Sequence, residues 1–94
     1  MKIRNTDTET LEATDVRLQT TRLHEIVLFN DDVNTFDWVI TSLMEVCDHT
    51  LEQAEQCSIL VHYKGKCTVK SGEYNKLKPQ CSELLNRGLS AEIC

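Results

Sequence analysis

Apolar residues recur along this chain with two different periods, and the elements that they predict begin near residue 23. Leu23–Phe29 combines β-branched and aromatic side chains with a partial alternation, which predicts a β-strand. The polar run Asn30–Asn34 ends that strand, because Asn and Asp side chains close turns by bonding to nearby backbone. After it, apolar residues at three- and four-residue spacing predict a helix that ends near Asp48. They are Phe36, Val39, Ile40, Leu43, Met44 and Cys47.

Capping residues mark the ends of the predicted helices. Asn34 or Thr35 can cap the first helix. A second helix begins at Thr50, which forms a capping-box pattern with Gln53. Gly65 is its expected end, because glycine readily adopts the left-handed conformation that closes a helix. An apolar stripe predicts the buried face of this second helix. Its members are Leu51, Ala54, Cys57 and Val61, broadened by Ile59 and Leu60.

The remainder of the chain predicts a strand, a helix and a strand. Cys67–Lys70 is a short strand, and Leu89–Ile93 is the last one. A third helix lies within Glu73–Arg87. Pro79 lacks an N–H group and fits without cost only in a first turn, so this helix begins near Leu77 or begins earlier and kinks. The order strand, helix, helix, strand, helix, strand predicts an α+β domain with helices on one face of a small sheet.

Residues 1–22 have a different composition from the rest. They are rich in Thr and carry charges of both signs, and their apolar residues follow no helical or strand period. We therefore expect a flexible N-terminal extension at 1–22 and a folded core at 23–94. A chain of 94 residues has room for one domain and little surface left for a deep catalytic cleft. These features favour a binding module over an enzyme.

Charge and cysteine content exclude several classes of protein. A net charge of −5 with dispersed Lys and Arg argues against nucleic acid as a partner. No apolar run approaches transmembrane length, and the N-terminus lacks the apolar core of a secretory signal, so we expect a cytoplasmic protein without a membrane partner. The five cysteines are odd in number and widely spaced, which indicates reduced thiols. Cys94 is the one expected to be exposed and reactive.

Two polar features are candidates for a binding site. Asn30, Asp31 and Asp32 place two carboxylates and an amide at one corner, where they offer acceptors to a cation or an ammonium group. The same residues would equally well form a turn that caps the next helix. His62 follows the apolar stripe of the second helix, where a histidine is either a packed boundary residue or a group that faces a pocket. Spacing alone does not establish that the two features meet.

Metal binding and catalysis are poorer interpretations of these residues. A calcium loop would need a further ligand and a glycine at its turn, and both are missing after Asp32. Zinc ligands could come from Cys47, His49, Cys57, His62 and Cys67, but no C-x-x-C or H-x-x-x-H pair is present to start a structural zinc site. Cysteine–histidine catalysis would need a nucleophile turn and an oxyanion loop, and neither is recognisable. We predict no metal, no cofactor and no catalytic residue.

Taken together, the motifs resemble those of the ClpS family of protease adaptors. The resemblance begins with Phe29-Asn30-Asp31-Asp32 and Val39-Ile40, and it extends over about Leu23 to Ile93. Further matches are Glu55-Gln56, the run Ile59-Leu60-Val61-His62-Tyr63-x-Gly65-Lys66 and the closing strand Leu89–Ile93. The resemblance implies a small α/β sandwich like the C-terminal domain of a ribosomal stalk protein, with a three-stranded antiparallel sheet.

The function implied by the resemblance is that of an adaptor. Such proteins bind substrates whose first residue is bulky and apolar, an N-degron, and deliver them to a Clp-type AAA+ unfoldase of the ClpA or ClpC type. By the family pattern, Asn30 and His62 contact the substrate's α-amino group, and Asp31 and Asp32 add charge and a bridging water. The first side chain enters an apolar pocket. The matching positions are Leu28, Asn34, Phe36, Val39, Ser58, Val61 and Leu89.

Some positions depart from the family pattern. Asn34 stands where threonine is usual, and Phe36 and Ser58 stand where methionines line the pocket, so we expect a reshaped pocket. The stretch after Gly65 is shorter than in well-known members, so the family's residues that dock on the unfoldase are not matched one by one. Its expected members are Glu55, Tyr63 and Lys66. We expect a monomer. The alternative is an interaction domain of the same fold that binds an unfoldase or another protein without an N-degron pocket.

Overall fold

The computed structural model describes residues 23–94, which form three strands and three helices. The expected flexible extension at 1–22 lies outside the described residues. Strands β1 (His24–Phe29), β2 (Lys66–Gly72) and β3 (Ser90–Ile93) and helices α1 (Phe36–Cys47), α2 (Leu51–Lys64) and α3 (Tyr74–Asn86) follow one another in the order β1-α1-α2-β2-α3-β3. This order and the α+β class are those predicted from the sequence.

The three strands form one antiparallel sheet in the order β2-β1-β3. At the centre of the sheet, Leu28 of β1 pairs with Cys67 on one side and with Ala91 on the other. The register against β2 shifts between Ile26 and Val27, which is a β-bulge. Alternate residues of β1 are fully buried, namely Ile26 and Leu28, so one face of the sheet carries the core.

The helices cover that face, as the sequence predicted, and the sheet and helices share one core. Its largest fully buried side chains come from β1, α1 and α3. Further buried residues come from α2, β2 and the end of the chain at 89–91. They are Ile26, Leu28, Leu43, Cys47, Ala54, Val61, Val69, Leu77, Cys81, Leu84, Leu89 and Ala91. Because β1 is central and buried on its core face, the residues that follow it are held in place by the whole sheet.

The helix ends agree with the predicted caps. Thr35 caps α1, and its hydroxyl accepts a hydrogen bond from Trp38 N at 3.1 Å. The Thr50 hydroxyl accepts from Gln53 N, and the Gln53 side chain accepts from Thr50 N, which completes the capping box of α2. Gly65 ends α2 with φ 93°, a conformation that costs other residues energy.

Two sequence predictions about the helices need correction. Helix α3 begins at Tyr74 and carries Pro79 in its interior, so the later start near Leu77 is wrong. In α2, Leu51 is 52% exposed and Ile59 is 44% exposed, although both were assigned to the buried stripe. The buried face of α2 consists instead of Ala54, Ser58 and Val61. The pattern failed there because the face that meets the sheet includes a serine.

Candidate functional site

The end of β1 and the end of α2 lie side by side. The backbone N–H of Asn30, the first residue after β1, donates a hydrogen bond to the carbonyl of Gly65 at 3.0 Å. His62 lies in the last turn of α2, so this bond brings the polar run and the histidine to one place. This contact places the polar run next to His62, which spacing in the sequence alone did not establish.

Between these elements lies an open cavity of about 350 Å³. Its walls come from the turn after β1, the first turns of α1 and the second half of α2. The lining residues are Asn30, Asp31, Asp32, Asn34, Thr35, Phe36, Val39, Ser58, Val61 and His62. All four residues predicted to bind an ammonium group are among them, and so are most of those predicted to form the apolar pocket.

The remaining two predicted pocket residues lie deeper. Leu28 and Leu89 are almost fully buried and line a second cavity of only about 20 Å³. Val39 and Val61 border both cavities, so the leucines stand behind the apolar wall of the larger one. Thr35 was not predicted as a site residue. Its capping pattern was visible in the sequence, but nothing in that pattern indicated that it would face a cavity.

Asp31 organises the turn. One of its carboxylate oxygens accepts hydrogen bonds from the backbone N–H groups of Val33 at 2.9 Å and Asn34 at 2.8 Å. The other accepts from the Asn34 side-chain amide at 2.8 Å. Burial raises the pKa of Asp31, but the hydrogen bonds from Asn34 and Val33 together outweigh it, so the pKa lies below its ordinary value. Asp31 therefore stays ionised at neutral pH.

Asn34 ties this turn to a distant part of the chain. Its side-chain amide also donates to the carbonyl of Gly88 at 2.9 Å, in the turn between α3 and β3. A second link lies beside it, where the indole N–H of Trp38 donates to the carbonyl of Arg87 at 2.9 Å. Asp32, in contrast, is exposed at the rim of the cavity. The two neighbouring aspartates thus have different surroundings.

The imidazole of His62 stands at the mouth of the cavity in contact with aromatic rings. Its centroid lies 5.2 Å from that of Phe36 across the opening, with the planes inclined by 52°. The ring of Tyr63 meets it nearly edge-on at 4.7 Å. Phe36 is 44% exposed, so part of its side chain remains accessible to a ligand. The Phe36 ring gives the mouth of the cavity an apolar edge beside the polar one.

The interior wall of the cavity is mostly apolar. Val61 is buried, and Val39 packs against the core from α1. Ser58, one turn before His62 on α2, is only 3% exposed. The site therefore places hydrogen-bond acceptors at its rim and hydrocarbon at its base, which suits a ligand with a positive group beside an apolar side chain.

The three residues expected to dock on a partner all lie on the surface. Glu55, Tyr63 and Lys66 are exposed, and Tyr63 is the most open of them at 76%. Glu55 and Tyr63 are two turns apart on α2 and lie on one face of it. Ile59, half exposed, lies between them on the same face. This surface begins where the rim of the cavity ends, at His62 and Tyr63.

Two of the thiols, Cys47 and Cys57, have surroundings that suppress their reactivity. Burial, followed by contact with the Cys67 side chain, raises the pKa of Cys57 to about 12. Burial likewise raises the pKa of Cys47 to about 11.

Within residues 23–94, no group of three or more Cys, His, Asp or Glu side chains is placed to hold a metal ion. The described helices include none that is long and apolar enough to cross a membrane.

Fold and site together define a small α+β domain with a cavity that has hydrogen-bond acceptors at its rim and an apolar wall. The family model described as ATP-dependent Clp protease adaptor protein ClpS matches residues 19–92. The ClpS adapter of Campylobacter jejuni is 40% identical over 92 residues, covering 92% of this chain and 94% of the relative. That of Nitratidesulfovibrio vulgaris is 36% identical over 74 residues, covering 77% and 69%. The chain belongs to the ClpS family of Clp protease adaptors.

A solved structure shares the fold. The ClpS2 protein of Agrobacterium tumefaciens, bound to L-phenylalaninamide, superimposes with a TM-score of 0.75 at 18% sequence identity. The match covers 80% of this chain and 96% of the other. The small α/β sandwich predicted by resemblance is thereby confirmed. Family membership also makes the protein an adaptor and not an enzyme.

Proposed function

We propose that this protein binds substrates through a bulky apolar N-terminal residue and delivers them to a Clp-family ATP-dependent unfoldase. The proposal is carried by one observation: Asn30, Asp32 and His62 line the same cavity as a set of apolar side chains. L-Phenylalaninamide, the ligand of the ClpS2 relative, has a free α-amino group and an apolar side chain. A cavity with acceptors at its rim and hydrocarbon at its base matches both parts of such a ligand.

The α-amino group of a protein is a cation with three donors, so it needs several fixed acceptors. Asn30 offers its amide oxygen and His62 offers a ring nitrogen. Asp32 at the rim supplies negative charge, directly or through a bridging water. Asp31 acts through the turn that it holds, and its ionised carboxylate adds to the local negative charge.

The side chain of the first residue then occupies the apolar part of the cavity, against Phe36, Val39 and Val61. Burying a leucine or phenylalanine side chain in this way contributes roughly 1.5–3 kcal/mol. An internal peptide segment lacks the ammonium group and would leave the rim acceptors without a partner, which costs binding energy. The two contacts together select the beginning of a chain.

Delivery requires a second surface, which we assign to Glu55, Tyr63 and Lys66 because they are exposed and match the family's pattern. The partner would be a Clp-type AAA+ unfoldase of the ClpA or ClpC type, with residues 1–22 as a segment that engages it. We infer a monomer that acts in the cytoplasm. The free thiols of Cys47, Cys57, Cys67, Cys81 and Cys94 suit that reducing compartment.

A peptide titration tests the proposal. Peptides that begin with Phe, Leu, Tyr or Trp should bind, and the same peptides with an acetylated N-terminus should not. The variant Asn30→Ala should lose binding because it removes an acceptor for the ammonium group. Equal affinity for free and acetylated peptides would contradict the proposal. A protein that binds an unfoldase but no peptide would instead be the interaction domain without an N-degron pocket.

A further inference from the structure

The cavity contains one polar group that recognition of an apolar side chain does not use. Ser58 lies on its wall, 3% exposed, and its hydroxyl oxygen has no hydrogen-bond partner among residues 23–94. A helical serine commonly bonds to the carbonyl four residues earlier, but this hydroxyl makes no such bond to Ala54. A buried donor without a partner is unfavourable, so a ligand that supplies one gains affinity.

The position of Ser58 relative to the rim decides which ligand can supply that partner. Ser58 and His62 are four residues apart on α2, and residues at that spacing are offset by about 6 Å along a helix axis. The hydroxyl of a tyrosine side chain lies at a comparable distance from its Cα atom. A tyrosine whose α-amino group is held at the rim beside His62, with its side chain running along α2, therefore brings its hydroxyl level with Ser58.

We propose that Ser58 is a specificity-determining residue that makes the cavity prefer an N-terminal tyrosine over phenylalanine and leucine. This inference rests on the proposed N-terminal recognition and refines it. Each hydroxyl both donates and accepts, so the serine and the tyrosine satisfy each other. Phenylalanine has the same ring without the hydroxyl and leaves Ser58 unpaired. Leucine is shorter and does not reach it.

Binding sites with a buried polar group and purely apolar sites differ in how strongly they discriminate between ligands. A site with a buried polar group rejects the analogue that lacks the matching group, whereas a purely apolar site discriminates weakly between the two. Of the polar side chains that line this cavity, Asn34 is bonded to Asp31 and Gly88, Thr35 caps α1, and Ser58 is buried without a partner among the described residues. The preference for tyrosine should therefore depend on this one side chain.

The test compares two peptides that differ only in beginning with Tyr or Phe, titrated against three proteins. The full chain should bind the Tyr peptide about fivefold more tightly, the usual net contribution of one neutral hydrogen bond. In Ser58→Ala the preference should vanish or reverse, because the tyrosine hydroxyl is then buried against a methyl group. Ser42→Ala is the matched control, since Ser42 is also buried with an unpartnered hydroxyl but lies on α1 away from the cavity. It should retain the preference.

Each outcome decides between explanations. If the full chain and Ser58→Ala bind both peptides with the same affinity ratio, the role of Ser58 is overturned while N-terminal recognition stands. If neither peptide binds the full chain, both proposals fail. Thermal unfolding of the three proteins separates a change in ligand preference from a loss of folding. A loss of both peptides by a folded Ser58→Ala also contradicts the proposal, because it indicates a structural role.

Discussion

Replacing Asn34 by alanine should weaken the site without unfolding the domain. The Asn34 amide donates to the Asp31 carboxylate at 2.8 Å and to the Gly88 carbonyl at 2.9 Å. A hydrogen bond to a charged group contributes about 1.5–3 kcal/mol when buried and a neutral one about 0.5–1.5 kcal/mol. Both bonds are partly open to water, so we expect Asn34→Ala to lose about 1–2 kcal/mol of unfolding free energy.

The pH dependence of that loss identifies its source. The folded-state pKa of Asp31 is depressed, so its stabilisation is present above the unfolded value of about 3.9 and disappears as the pH falls through the folded value. Asn34→Ala removes one of the bonds that depress this pKa. The difference in stability between the two proteins should therefore be largest at neutral pH and shrink in acid, where the carboxyl is protonated in both.

Urea unfolding at neutral and acid pH measures this difference. Affinity for a peptide with a free N-terminal phenylalanine should fall as well, since the turn that carries Asn30 and Asp32 is no longer tied to Gly88. Asn75→Ala, on the exposed surface of α3, is the matched control and should change neither quantity. Equal stability and affinity for Asn34→Ala and the unchanged chain would refute the reasoning.

Three further predictions concern single groups. His62→Ala should weaken peptide binding, because it removes a ring nitrogen that can accept a hydrogen bond from the α-amino group, and calorimetry would measure the loss. Iodoacetamide at pH 8 should modify exposed Cys94 well before Cys47 and Cys57, whose raised pKa values keep them protonated, as peptide mass mapping would reveal. Pro79→Ala should raise the unfolding free energy by about 1–2 kcal/mol, since it restores a helix N–H group within α3, and urea denaturation would measure the gain.

The sequence predicted those elements whose determinants are local. The capping box of Thr50 and Gln53 and the terminating Gly65 each act within a few residues, and each appears in the structure as expected. Pro79 has an equally clear local preference, yet it lies inside α3. Packing of Leu77, Cys81 and Leu84 in the core keeps this helix continuous through the proline.

Tertiary contacts decide which residues of a helix are buried, and the hydrophobic pattern of the sequence does not contain those contacts. Leu51 and Ile59 satisfied the helical period but remain half exposed, whereas Ser58 is buried on the face of α2 that it shares with Ala54 and Val61. The error concerns the site directly, because the residue that the pattern excluded from the core lies on the cavity wall. Resemblance to the family, and not periodicity, identified Ser58 as a pocket residue.

The meeting of the polar run with His62 likewise depends on long-range contacts. It rests on the hydrogen bond from Asn30 to Gly65, which forms only once β1 and β2 have paired. The turn is then fixed on its other side by the bond from Asn34 to Gly88, which requires α3 and β3 to be in place. The rim acceptors are thus positioned by the completed fold before a ligand arrives. Binding need not order this turn, and a site ordered in advance binds more tightly than one that must be ordered by its ligand.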